Sequence, residues 1–118
     1  MNNASHLADE KVLSELGVEL MITTNHIGHF YLTHLLFNHL KNSKEGRIIN
    51  VSSSGHYYAP DNFMDDWSFE KKKFGSLKQY LVTKLLNVLF TVGLKEFLEK
   101  NNIRNVKTAA LNPGGVAT

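Results

Sequence analysis

The chain has 118 residues, is 42% hydrophobic and 20% charged, carries a formal net charge of +2 and contains no cysteine. That profile belongs to a single globular domain and excludes disordered and collagen-like chains. Without thiols there is no disulfide staple, no thiolate zinc site and no cysteine nucleophile, and any redox compartment is compatible.

No apolar run approaches the ~18 residues that span a bilayer, so no membrane segment is expected in the visible chain. The start, Met1-Asn2-Asn3-Ala4-Ser5-His6, has neither the basic opening nor the apolar stretch of a signal peptide. The basic run Lys71-Lys72-Lys73 follows Asp65, Asp66 and Glu70. Mixed charge of this kind reads as a solvated face, and no aromatics interleave with the basic residues, so a nucleic-acid partner is not expected.

Residues from about Glu19 to Leu40 place Ile27, Phe30, Tyr31, Leu35, Leu36 and Leu40 at helical spacing, which predicts a long, largely buried helix ending near Asn42. Arg47 to Ser52 is a short β-branched run after Gly46 and suits a buried strand. Tyr57 to Phe74 mixes Pro60, Asp61 and Asn62 with acids and lysines, without sustained period. It is expected to be an irregular surface segment anchored by Phe63, Trp67 and Phe69.

A second long helix is predicted from about Ser76 to Lys100, apolar nearly all round, and a second strand over Val106 to Leu111, stopped by Pro113, Gly114 and Gly115. Helix, strand, helix, strand points to an α/β domain with a doubly wound parallel sheet and helices on both faces. Ligands of such sheets sit beyond the carboxyl ends of the strands. That rule directs attention to Ser52–Gly55 and Asn112–Gly115, both rich in small and polar residues.

On the second helix Tyr80 and Lys84 are four apart and share a face. A nearby ammonium favours phenolate over phenol, which readies the hydroxyl to exchange a proton with a substrate oxygen. Taken alone, the pair is an ordinary surface pair. Ser53 at the exit of the first strand can donate to a carbonyl, and Asn25 is a polar side chain inside an otherwise apolar helix. Singly these too are a loop serine and a satisfied helix polar group.

In this order they resemble the short-chain dehydrogenase/reductase family, and within it the retinol-dehydrogenase-like branch. Asn2-Asn3-Ala4-Ser5 is similar to N-N-A-G, and Asn25 with its surroundings to N-H-x-G-H-F-x-L-T. Ile49-Asn50-Val51-Ser52-Ser53 resembles the strand that ends in the family's serine. Tyr80 to Phe90 is similar to Y-x-x-S-K-L-x-N-x-L-F, and Asn112-Pro113-Gly114 through Thr118 to P-G-x-x-x-T. The resemblance covers nearly the whole chain.

It implies a Rossmann-like fold and reversible hydride transfer between NAD(P)H and a small-molecule carbonyl or alcohol, with NADP ahead of NAD. It also implies an apolar substrate such as a retinoid, steroid or aliphatic aldehyde or ketone. Tyr80 would be the proton donor or acceptor, Lys84 its electrostatic partner and the ligand of the nicotinamide ribose, Ser53 the donor that orients the carbonyl, and Asn25 the holder of a relay water. Pro113, Gly114 and Thr118 would line the nicotinamide side of the cofactor and Asn3 and Ala4 its adenosine side. Ser5 departs from the glycine of N-N-A-G and Thr83 from the serine before the lysine.

The segment between Ser53 and Tyr80, long for the wider family, fits the branch, and its Tyr57, Tyr58, Phe63, Met64 and Trp67 could line an apolar pocket or simply pack as a loop. His26, His29, His34 and His39 lack the spacing of a metal motif and are expected to pack, so no metal is expected. Asn3-Ala4-Ser5 and Asn50-Val51-Ser52 match the glycosylation pattern but fall in motifs expected to be buried.

The glycine-rich turn that receives the cofactor pyrophosphate in this family is not among the eight glycines. The expectation is therefore a catalytic half-domain, residues 1–118, inactive by itself. The rival is a non-catalytic interaction module pairing with a full-length subunit, or a homodimer, through the two long helices. Location is expected to be cytoplasmic, or at a membrane if an anchor lies upstream.

Overall fold

In the computed structural model, which describes residues 1–115, the first long helix begins at a cap. The Glu19 carboxylate accepts from the backbone N–H groups of Met21 at 2.9 Å and Ile22 at 3.1 Å, satisfying donors that a helix start leaves orphaned. Three pieces follow: α1 (Leu20–Ile22), a π-helical segment Thr23–Ile27, and α2 (Gly28–Lys41). The extra residue per turn in the π segment turns Asn25 inward, where it is fully buried. A single π turn inside an α-helix is a common mark of a functional position.

Helix α2 ends at Asn42, as the sequence predicts. Its last carbonyls are partly satisfied from a distance: the Asn105 amide donates to the carbonyls of Lys41 and Ser43, each at 2.8 Å. The chain then enters β1 (Gly46–Val51), one residue earlier than expected. A Cβ on Gly46 would lie 2.9 Å from the Leu40 carbonyl and 3.1 Å from a Val106 methyl, so only glycine lets the strand start that close to the helix.

Helix α3 (Ser76–Lys100) and β2 (Val106–Leu111) fall where the apolar periodicity places them. The strands pair in parallel from Gly46↔Val106 to Val51↔Leu111, with α3 as the crossover that parallel pairing requires. On the other side of β1, Asn2 forms a one-residue parallel bridge: its N–H donates to the Ile49 carbonyl at 2.7 Å and its carbonyl accepts from Val51 at 3.0 Å.

Between β1 and α3 the irregular segment holds two short 3-10 turns, Ser54–Tyr58 and Phe63–Asp66. The Asp66 carboxylate gathers the N–H groups of Glu70, Lys71 and Lys72. Of the expected anchors Phe63 and Phe69 are half-buried, whereas Trp67 stays 37% exposed and the buried residue beside it is Ser68.

The apolar core is Ile48 and Val106 against Leu94 and Leu98, flanked by Phe37, Leu40, Phe90 and Ile103. It occupies one face of the sheet. Two expectations change here. The first helix is not largely buried: Phe30, Tyr31, Leu32, Leu35 and Leu36 are all exposed. In the first half of α3 the buried side chains are mostly polar, Gln79, Thr83, Lys84 and Asn87 around Val82, while Leu77, Leu89, Val92 and Phe97 face out. Toward its C-terminal end the buried side of the same helix turns apolar, with Leu94 and Leu98.

Candidate active site

The polar stripe of α3 faces the exit of β1 and the π segment. Two bonds clamp the strand end to the helix: Ser52 Oγ donates to the Lys84 carbonyl at 2.8 Å, and Asn87 Nδ2 donates to the Val51 carbonyl at 3.2 Å. Ser52 is thereby buried and committed. Ser53, the next residue, is partly exposed and caps the following 3-10 turn, its Oγ accepting from the Gly55 N–H at 3.1 Å.

Lys84 is 3% exposed, and its ammonium donates to the Val51 carbonyl at 3.5 Å, the outer limit of a hydrogen bond. It sits 5.2 Å from the centroid of the Tyr80 ring, within cation–π range. Burial lowers the lysine's pKa from its usual value. A buried ammonium with a single long bond has donors to spare, and burying a charge so sparsely paired is costly. Such an ammonium can donate to the oxygen atoms of a ligand.

Asn25 is tied three ways. Its Oδ1 accepts from the His6 N–H at 2.7 Å, and its Nδ2 donates to the His6 carbonyl at 2.9 Å and to Thr83 Oγ1 at 3.2 Å. Thr83 in turn donates to the Tyr80 carbonyl at 2.7 Å. Asn25, Thr83 and Tyr80 thus form one connected chain. Among the described residues no hydrogen bond joins Ser53 to Tyr80.

Asn3 and Ala4 lie exposed just past the Asn2 bridge to β1. Exposed Asn3 departs from the buried motif that the sequence reading expects, whereas Asn50 of the second glycosylation pattern is buried. Pro113 and Gly114 are exposed after β2, where Gly114 takes a φ of +79° and its N–H donates to Asn112 Oδ1 at 3.1 Å. Thr118 lies outside the described residues.

Three roles escape the sequence reading, although Asn87 itself is the asparagine of the Tyr80-to-Phe90 motif. Asn87 stands three residues after Lys84 and four after Thr83, so a polar stripe at 80, 83, 84 and 87 within an apolar helix is the signal that could have found it. Glu19 and Gln79, both fully buried, meet at 2.7 Å, and Gln79 also donates to the Trp67 carbonyl at 3.0 Å. No local pattern announces that pair.

Phe63, Trp67, Phe69 and Phe74 line a cleft of about 670 Å³ on the flank of α3 that carries Gln79 and Val82. Its lining includes none of Ser53, Tyr80 and Lys84, and Tyr57, Tyr58 and Met64 are exposed elsewhere. Among the described residues no three His, Asp or Glu side chains gather as a metal site, and no helix is long and apolar enough to cross a membrane.

Residues 1–63 match the family model for short chain dehydrogenases. Over its whole length the chain is 36% identical to the short-chain dehydrogenase TIC 32 A, chloroplastic, of Brassica napus and 39% identical to retinol dehydrogenase 14 of Homo sapiens, spanning 38% and 34% of those proteins. A crystal structure of an uncharacterized protein from Mycobacterium Paratuberculosis superposes with a TM-score of 0.85 at 32% identity, covering 99% of this chain and 41% of that one. The chain belongs to the short-chain dehydrogenase family.

Proposed function

We propose that the chain carries the proton-transfer half of an NAD(P)-dependent oxidoreductase site acting on a carbonyl or alcohol. The observation that carries this reading is the buried ammonium of Lys84, 5.2 Å from the Tyr80 ring and held by one long bond. Bound NAD(P) would supply the hydride, with NADP placed ahead of NAD on the resemblance alone. Lys84 offers its spare N–H groups to the ribose hydroxyls from its place beside the Tyr80 ring. Tyr80 passes its proton to the oxygen that becomes an alkoxide, and Ser53 donates to the same oxygen.

Asn25 holds the relay behind Lys84. Asn3, Ala4, Pro113, Gly114 and Thr118 are the residues proposed to border the cofactor. An apolar substrate, a retinoid, steroid or aliphatic carbonyl, follows from likeness to proteins named retinol dehydrogenases. In the enzyme that contains this chain, Tyr80→Phe is expected to lower carbonyl reduction by about 10²–10⁴ while leaving cofactor affinity within a few-fold. Undiminished turnover would sink the assignment.

One further observation favours an interaction role beside catalysis. Phe30, Phe37, Phe90 and Phe97 line an apolar groove of about 400 Å³ between α2 and α3, and Tyr31, Leu35 and Val92 of the same two helices are exposed. An apolar patch of this kind marks a contact surface, and we read it as the face on which two subunits pair.

A further inference from the structure

The Val51 carbonyl is a shared acceptor. Asn87 Nδ2 reaches it at 3.2 Å and Lys84 Nζ at 3.5 Å, so the neutral amide makes the shorter bond and the cation the longer one. What holds the amide in that orientation is His26: its Nδ1 lies 3.3 Å from Asn87 Oδ1. Since Asn87 Nδ2 faces a carbonyl, its Oδ1 faces the ring, and only a protonated Nδ1 complements it.

The imidazole is held in turn by its ring contacts, edge-on to Phe90 at 6.1 Å and tilted against Phe30 at 6.5 Å. We propose that His26 and Asn87 are a positioning pair that occupies the Val51 carbonyl and so keeps the Lys84 ammonium uncommitted and ready for a ligand.

This deepens the reading of Lys84 as the ligand-facing cation of the site. The pair sits on two elements, His26 on the π segment and Asn87 one turn beyond Lys84 on α3. The titratable groups that face the ammonium are Tyr80, on its own helix, and His29, whose imidazole feels the Lys84 charge. Asn87 is the neighbour that contests the Val51 acceptor.

If the amide is released, Val51 accepts more fully from Lys84. One hydrogen bond to a charged group then raises the lysine's midpoint by about one pH unit.

The experiment follows Lys84 by NMR titration of its side-chain ¹³Cε in the full chain, with the ¹⁵N shift of His26 Nδ1 recorded alongside. His26→Phe keeps the aromatic packing and removes the donor. It is expected to raise the Lys84 midpoint by about one unit and to free the Asn87 side-chain amide. His26→Asn returns an N–H near the same position and restores the wild-type midpoint.

Asn87→Ala reproduces the upward shift and serves as the second variant if His26→Phe fails to fold. The pair is refuted if Lys84 titrates alike in wild type and Asn87→Ala, if His26→Asn behaves as His26→Phe, or if Nδ1 of His26 carries no proton. None of these readings depends on turnover, so failure of the oxidoreductase assignment, judged on Tyr80→Phe, is a separate result.

Discussion

His26 and His29 stand one turn apart beside Lys84, and burial is the main reason that both imidazoles titrate below the usual 6.5. For His29 the Lys84 charge pushes the same way. The unfolded chain therefore binds protons more readily than the folded one. Stability from keeping these rings neutral is complete above about pH 6.5 and is lost as pH falls through the lower folded values. Thermal melts recorded from about pH 7 to about pH 5 are expected to shift downward, and His29→Gln, which cannot charge, to shallow that slope. A slope unchanged in His29→Gln removes the residue from the account. At this scale the candidate site was only half legible. Tyr80, Lys84, Ser53 and Asn25 stand out by type and spacing, whereas the groups that hold them bond across 19 to 61 residues, as Asn25 does to His6 and His26 to Asn87. Such pairings leave no local trace.

Among the elements, those with strong periodicity were readable end to end. Helix α3 and strand β2 begin and end where the apolar pattern changes, and α2 stops at Asn42. Periodicity tells how a segment folds but not which side turns inward. In α3, read as apolar nearly all round, the inward side of the first half is polar because hydrogen-bonded polar residues can be buried as readily as leucines. The π segment was invisible for a different reason: one extra residue per turn does not disturb an apolar pattern over so short a span. Gly93 lies inside α3, where an added Cβ meets nothing within 4 Å. Replacing glycine by alanine in a helix interior gains about 0.5–1 kcal/mol. Gly93→Ala is thus expected to raise the chemical-denaturation midpoint with an unchanged m-value, and a lowered midpoint would mean that the glycine serves close packing instead.

As a whole molecule the chain is more extended than its length suggests. Its radius of gyration is 15.0 Å, against about 13.5 Å for a compact domain of this size. The cause is visible in the sheet. Parallel sheets are ordinarily covered on both faces, yet here α2 and α3 pack on the face that bears Ile48 and Val106, while on the other Arg47, Lys107, Ala109 and Leu111 are exposed and Val51 alone is buried. The expectation of helices on both faces is met on one among the described residues. The outer flanks of α2 and α3 are open as well. If the proposed pairing face is right, replacing Leu35 by Glu together with Val92 by Lys, both at least half exposed, is expected to lower the association state seen in analytical ultracentrifugation. A sedimentation profile identical to wild type would separate this flank from any subunit contact.

The Glu19–Gln79 bond also bears on how the chain comes together in time. It joins residues 60 apart, and the first strand pair, Gly46 with Val106, closes a stretch of the same separation. Both closures carry a similar entropic cost before any contact repays it. Helix α3 takes part in the first closure and lies inside the second, so forming it early shortens the chain that either closure has to order. The stabilisation from Gly93→Ala is then expected to appear in the rate of refolding more than in the rate of unfolding.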